Sequence, residues 1–151
     1  MCPEKCFDNT VIVVQGHNYT FFSNGIYLCA ELMNSFNIVL VVPQSFSSDK
    51  RFLKICELLN FHEVVYFPSN SYVSLDKRDL FYGANVLKQF FHQKAYSEIS
   101  KKLMLQYRPI AVVQHDYIHI ENFYFFYWAK RLLKNCKKIV VLSTAPSNER
   151  T

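Results

Sequence analysis

Glycine and proline are scarce in this chain, at three and five residues of 151. That scarcity excludes collagen-like repeats, flexible linkers and low-complexity disorder, which depend on one or both. The cysteines are odd in number and scattered: Cys2, Cys6, Cys29, Cys56 and Cys136 include no C-x-x-C pair. A disulfide framework is therefore not expected, and Cys2 with Cys6 lacks the second ligand pair that a structural zinc needs. The first residues, Met-Cys-Pro-Glu-Lys-Cys, carry neither the apolar core nor the small-residue cleavage site of a secretory signal. The longest apolar stretch, from Ile118 to Leu133, is broken by His119, Glu121, Asn122, Lys130 and Arg131, too many polar groups for a membrane span. These absences lead to the expectation of a reducing, cytoplasmic setting.

Standard nucleotide and hydrolase motifs are missing as well. The loop Gln15-Gly16-His17-Asn18 is neither a G-x-G-x-x-G fingerprint nor a phosphate loop with its Lys-Ser/Thr pair. There is no G-x-S-x-G elbow, and the acidic residues that a phosphoacceptor receiver domain needs do not follow the first and third strands. No dinucleotide or other cofactor is expected.

What the chain has is hydrophobic residues, half of the total, with 14 Phe and 10 Tyr among them. A chain of this length can bury about two thirds of its unfolded surface without covalent staples. Five runs read as buried strands: Val11 to Gln15, Ile38 to Val42, Glu63 to Phe67, Ile110 to Gln114 and Lys138 to Leu142. They are nearly continuous in aliphatic residues rather than alternating, the pattern of parallel strands covered by helices on both faces.

Helical periodicity fills the intervals. The first helix is predicted over Asn24 to Phe36, with Phe22, Ile26, Cys29, Met33 and Phe36 along one stripe. The second follows Ser48 and Asp49, carries Phe52, Cys56 and Leu59, and stops near Asn60. A third spans Asn85 to Tyr107, along which Leu87, Phe91, Ala95, Ile99 and Leu103 recur every four residues, and Pro109 ends it. The fourth covers Ile118 to Asn135, with Phe125, Trp128, Ala129 and Leu132 on one side.

Alternating strands and helices predict an α/β fold, a three-layer α/β/α Rossmann-like domain on a parallel sheet of five strands in the order 3-2-1-4-5. The segment Pro68 to Tyr82 is the only long irregular connection. No helical pattern follows the fifth strand before Thr151, which suggests that residues 1–151 are the first domain of a longer, two-domain protein.

Ligands of open α/β sheets bind outside the carboxyl ends of the strands, near the point where strand order reverses. In the expected order that point lies between the first and fourth strands, and only these end in clusters holding His with Gly, Asn or Asp: Gln15-Gly16-His17-Asn18 and Gln114-His115-Asp116. The fifth strand ends in Ser143-Thr144. His17 titrates near neutrality and can take a proton from a hydroxyl. His115 and His119 of the H-D-x-x-H pattern around Asp116 have no evident third metal ligand, so hydrogen bonding to substrate is the expected role of His115 and Asp116, and no metal is expected.

The net charge of +5 draws on Lys130, Arg131, Lys134, Lys137 and Lys138. This basic patch is a candidate contact for anionic lipid or a phosphorylated substrate. Nucleic acid is not expected, because the aromatics fall in helical runs rather than on a stacking platform. Six aromatics in succession, Phe123 to Trp128, must point around the whole circumference of their helix. The outward side is a candidate surface for a second subunit or domain.

The pattern as a whole resembles the N-terminal domain of two-domain GT-B glycosyltransferases, over nearly the full chain in architecture and at few individual residues. The residues that carry the likeness are Gln15-Gly16-His17, where that family places a Gly-His or Gly-Gly loop, and the helix that follows from Gly25 to Leu32. The resemblance implies sugar transfer from a nucleotide-sugar donor, held by a second domain, to a glycan or lipid-linked acceptor in polysaccharide biosynthesis. It implies His17 or Asp116 as general base, with Gly16, Asn18, Gln114, His115, Ser143 and Thr144 lining the substrate, and an isolated chain without activity. A weaker likeness is to non-hydrolysing UDP-N-acetylglucosamine 2-epimerases, whose Gln-Gly-Asp matches Gln114-His115-Asp116 in part, while their Gly-Thr-Arg-Pro loop has no counterpart here. A noncatalytic binding or assembly module is the third reading.

Overall fold

The protein is described from a computed structural model in which residues 8–16, 21–68, 77–78, 80–115 and 123–142 are placed. Five strands, β1 (Thr10–Gln15), β2 (Asn37–Pro43), β3 (Glu63–Phe67), β4 (Ala111–His115) and β5 (Lys137–Val141), form one sheet in the order β3-β2-β1-β4-β5. All four pairings are parallel. The helices are α1 (Ile26–Leu32), entered through a π-helical turn over Phe21–Gly25, α2 (Lys50–Leu58), α3 (Tyr82–Tyr107) and α4 (Phe123–Leu132). This is the Rossmann-like three-layer arrangement, in the strand order that the sequence predicts.

Side chains alternate across the sheet and sort into two cores. Ile12, Val14, Val39, Val41, Phe67 and Val112 face α3 and α4, meeting Tyr96, Leu103, Met104, Phe125 and Ala129. Val11, Val13, Ile38, Leu40, Val42 and Val113 face the opposite layer, where Phe21, Phe46 and Phe52 form a fully buried edge-to-face aromatic cluster with ring centroids 4.9–5.7 Å apart. Edge-to-face packing of this kind adds about 0.5–1.5 kcal/mol per pair to the area buried.

Several expectations are corrected. Not every strand is internal to the sandwich. β5 is an edge strand with Ile139 and Val140 exposed, and β3, at the other edge, is only half-buried over most of its length. The first helix is shorter than its apolar stripe, because the chain runs as a π turn through Gly25 and leaves the helix after Leu32. In α3 the buried residues are Tyr96, Ser100, Leu103 and Met104, whereas Leu87 and Phe91 of the four-residue recurrence are exposed.

The last correction has a geometric cause. The Tyr96 hydroxyl donates to the carbonyl of Pro68, 2.5 Å away and just past the end of β3, which places Tyr96 level with the carboxyl edge of the sheet. Since α3 joins two parallel strands, it runs from the carboxyl edge back to the amino edge. The fourteen residues ahead of Tyr96 thus project past the sheet by about 21 Å at 1.5 Å per residue, and none of them is buried.

Candidate functional site at the carboxyl ends of β1 and β4

Strand order reverses between β1 and β4, which pair directly, with Gln15 opposite His115 and Val14 opposite Gln114. The sequence ends the fourth strand at Gln114 and places His115 just past it. In the structure both are strand residues and, with Gln15, are buried to within 2% of full coverage. Three polar side chains thus end an otherwise aliphatic interior. Burial of such groups is tolerated only when their hydrogen bonds are made inside the protein.

Gln15 and His115 meet that demand together. They follow Val13 and Val113 on the face turned toward α1, and the His115 Nδ1 lies 2.8 Å from Gln15 Oε1. An amide oxygen can only accept, so in this contact His115 Nδ1 is the donor. Gln114 alternates to the other face, which Val112 shares with α3 and α4.

Gly25 completes the arrangement. A β-carbon there would stand 2.9 Å from Gln15 Oε1 and 3.1 Å from the Phe21 ring. The backbone at Gly25, with φ −63° and ψ −35°, is one that any residue adopts. Space rather than conformation therefore calls for glycine, whose missing side chain lets the chain entering α1 close over the Gln15–His115 pair. Sequence reading passed over this role, because nothing local to Gly25 shows what stands above it.

Gly16 is half-buried just past β1, and no glycine among the described residues has positive φ. His17, Asn18, Asp116, Ser143 and Thr144 lie outside the described residues, as does His119. The structure brings together Gln15 and His115, with Gln114 turned to the opposite face of the sheet. The described residues contain no cluster of three or more metal-ligating side chains.

The thiols on the helical layers are unreactive in character. Burial, with a smaller contribution from Cys56, pushes the Cys29 thiol up to about 12, and burial also raises Cys56 and Cys136. Each is a protonated, weakly polar packing group at neutral pH, in keeping with the sequence reading of Cys29 and Cys56. No described helix is long and apolar enough to cross a membrane.

No protein-family model matches the chain, and no curated protein matches it either. Among solved structures it is similar to two crystal structures of the C-terminal domain of a hydrogenase from Pyrococcus furiosus. Each has a TM-score of 0.54 and covers 89% of this chain and 92% of the other, with identities of 10% and 12%. Likeness at this level of identity establishes the Rossmann-like fold and nothing about activity.

Proposed function

We propose that the chain is the acceptor-side domain of a GT-B glycosyltransferase, which moves a sugar from a nucleotide-sugar donor to a glycan or lipid-linked acceptor. The observation that carries this reading is the buried Gln15–His115 pair at the strand-order reversal. It joins the two points from which the His17 and Asp116 loops leave the sheet, and parallel neighbours at about 4.8 Å put those points within reach of one small substrate.

In this reading His17 or Asp116 accepts the proton of the acceptor hydroxyl. The oxygen attacks the anomeric carbon of the donor sugar, and the bond from that carbon to the nucleotide's phosphate breaks, its electron pair leaving with the nucleotide. Gln15 and His115 hold the two strand ends in register beneath the loops that line the acceptor in this reading. The donor is held by a second domain, which fits the lack of any nucleotide motif in these 151 residues.

The test is titration of the 151-residue chain with acceptor-type saccharides, lipid-linked sugar analogues and nucleotide sugars, followed through the side-chain NMR signals of Gln15 and His115. Acceptor-type ligands are expected to shift both signals and nucleotide sugars to leave them unchanged. Nucleotide sugars shifting these signals, or no saccharide doing so, would overturn the assignment.

A further inference from the structure

We propose that the outer face of α3 and α4 is a docking surface for an anionic lipid bilayer, with the projecting first half of α3 as the element that enters the interface. Two independent properties of that face support this.

The first is apolar exposure where a soluble helix would be polar. Along α3, Leu87, Phe90 and Phe91 are each about 60% exposed, Leu87 and Phe91 on the side of the helix turned away from Tyr96, Ser100 and Met104 and Phe90 at its flank. Leu80 and Phe81, immediately ahead of the helix, are 97% and 69% exposed. A helix that is apolar on both sides needs something other than water on the second. Because this part of α3 stands beyond the sheet, none of the described strands covers it.

The second is charge. The helices α3 and α4 carry six cations, Lys88, Lys94, Lys101, Lys102, Lys130 and Arg131, against the single acid Glu98. This excess equals the formal charge of the whole chain, +5. All six are exposed. On the opposite layer, α1 and α2 hold three cations and two acids and are nearly neutral. Apolar side chains flanked by lysines that can reach past them describe an interfacial helix on acidic headgroups.

The same charge argues against self-association, since two copies of a face with five excess cations repel when juxtaposed. Nucleic acid would meet the charge but not the aliphatic side chains Leu80 and Leu87, which offer no stacking plane. The proposal extends the expected basic patch at the end of α4 to the whole helical layer, and it rests on surface composition alone, independently of the glycosyl-transfer reading.

The experiment is co-sedimentation of the full chain with large vesicles, of phosphatidylcholine alone or in equal parts with phosphatidylglycerol. Binding is expected to the mixed vesicles, at least about tenfold weaker to the neutral ones, and to fall with added salt. Replacing Lys88 and Lys94 together (Lys88→Gln, Lys94→Gln) should reduce partitioning about thirtyfold, since each lysine at an anionic surface contributes about fivefold. Replacing Phe90→Gln and Phe91→Gln together should reduce it by about tenfold or more, while Leu58→Gln on α2 should leave it unchanged. All five positions are exposed, so the variants should keep the parental Tm. Equal binding by parent and both double variants, salt-insensitive binding to neutral vesicles, a dimer abolished by the Phe variants, or a preference for a single-stranded oligonucleotide over the vesicles would each overturn the proposal.

Discussion

Gly25 shows how one residue's meaning can depend on a partner outside its own segment. Alanine there would improve the intrinsic helical preference of the α1 entry by about 1 kcal/mol. It would also drive a methyl group toward Gln15 Oε1 and displace the acceptor of the His115 Nδ1 proton, a buried hydrogen bond whose loss costs about 1–3 kcal/mol. The two effects nearly offset each other. Gly25→Ala is therefore expected to leave Tm within a few degrees of the parent while changing the tautomer balance of His115, read from its imidazole nitrogen shifts. Unchanged shifts would mean that Gln15 moves aside without cost. Chemistry-bearing residue types at the ends of the first and fourth strands were legible in the sequence. That Gln15, Gln114 and His115 are interior groups was not, because a polar residue following an aliphatic run reads as the point where the strand meets water.

At the scale of elements, local chemistry was the better guide. The Asp49 carboxylate caps α2 by accepting from the Arg51 and Phe52 amides, at the boundary that the sequence marks with Ser48 and Asp49. The hydrogen bond from the Arg51 side chain is the main cause holding its pKa below the usual value. Pro109 stops α3, as expected, by way of a left-handed Arg108 at φ 43° whose amide donates to the Met104 carbonyl. A non-glycine residue in that conformation costs about 1–2 kcal/mol, and Arg108 is exposed. Arg108→Gly should stabilise the protein by about 0.5–1 kcal/mol once the greater freedom of glycine in the unfolded chain is subtracted. A thermal melt checks this, and an unchanged or lower Tm would show that the arginine side chain contributes more than its exposure suggests. Where α3 begins to pack was beyond the reach of periodicity, because apolar residues recur every four positions over its solvent-facing half as well.

For the whole molecule, the two cores divide stability unevenly. β1, β2 and β4 are buried almost throughout, β3 and β5 form the edges, and α3 has its buried residues only from Tyr96 onward, with one further hold on α4 where the Tyr124 hydroxyl donates to Gln93 Oε1. Amide hydrogen exchange should follow that division. Slowest exchange is expected in β1, β2 and β4, intermediate rates in β3 and the second half of α3, and the fastest among regular elements in β5 and in residues 82–95. Protection of residues 82–95 equal to that of Leu103 and Met104 would refute the projecting-helix description.

The sequence by itself determined the fold class, the five strands to within a residue at most ends, and the order in which they lie. Hydrophobic runs and their spacing are local properties, and right-handed parallel crossovers leave few ways to assemble them. Tertiary structure alone decided which polar strand-end residues are buried, why position 25 has no room for a side chain, and which face of α3 meets water. Each of those depends on the distance between segments far apart in the chain, such as Gln15 and His115, a hundred residues distant and 2.8 Å apart at their polar atoms. That distance exists only after the sheet has formed.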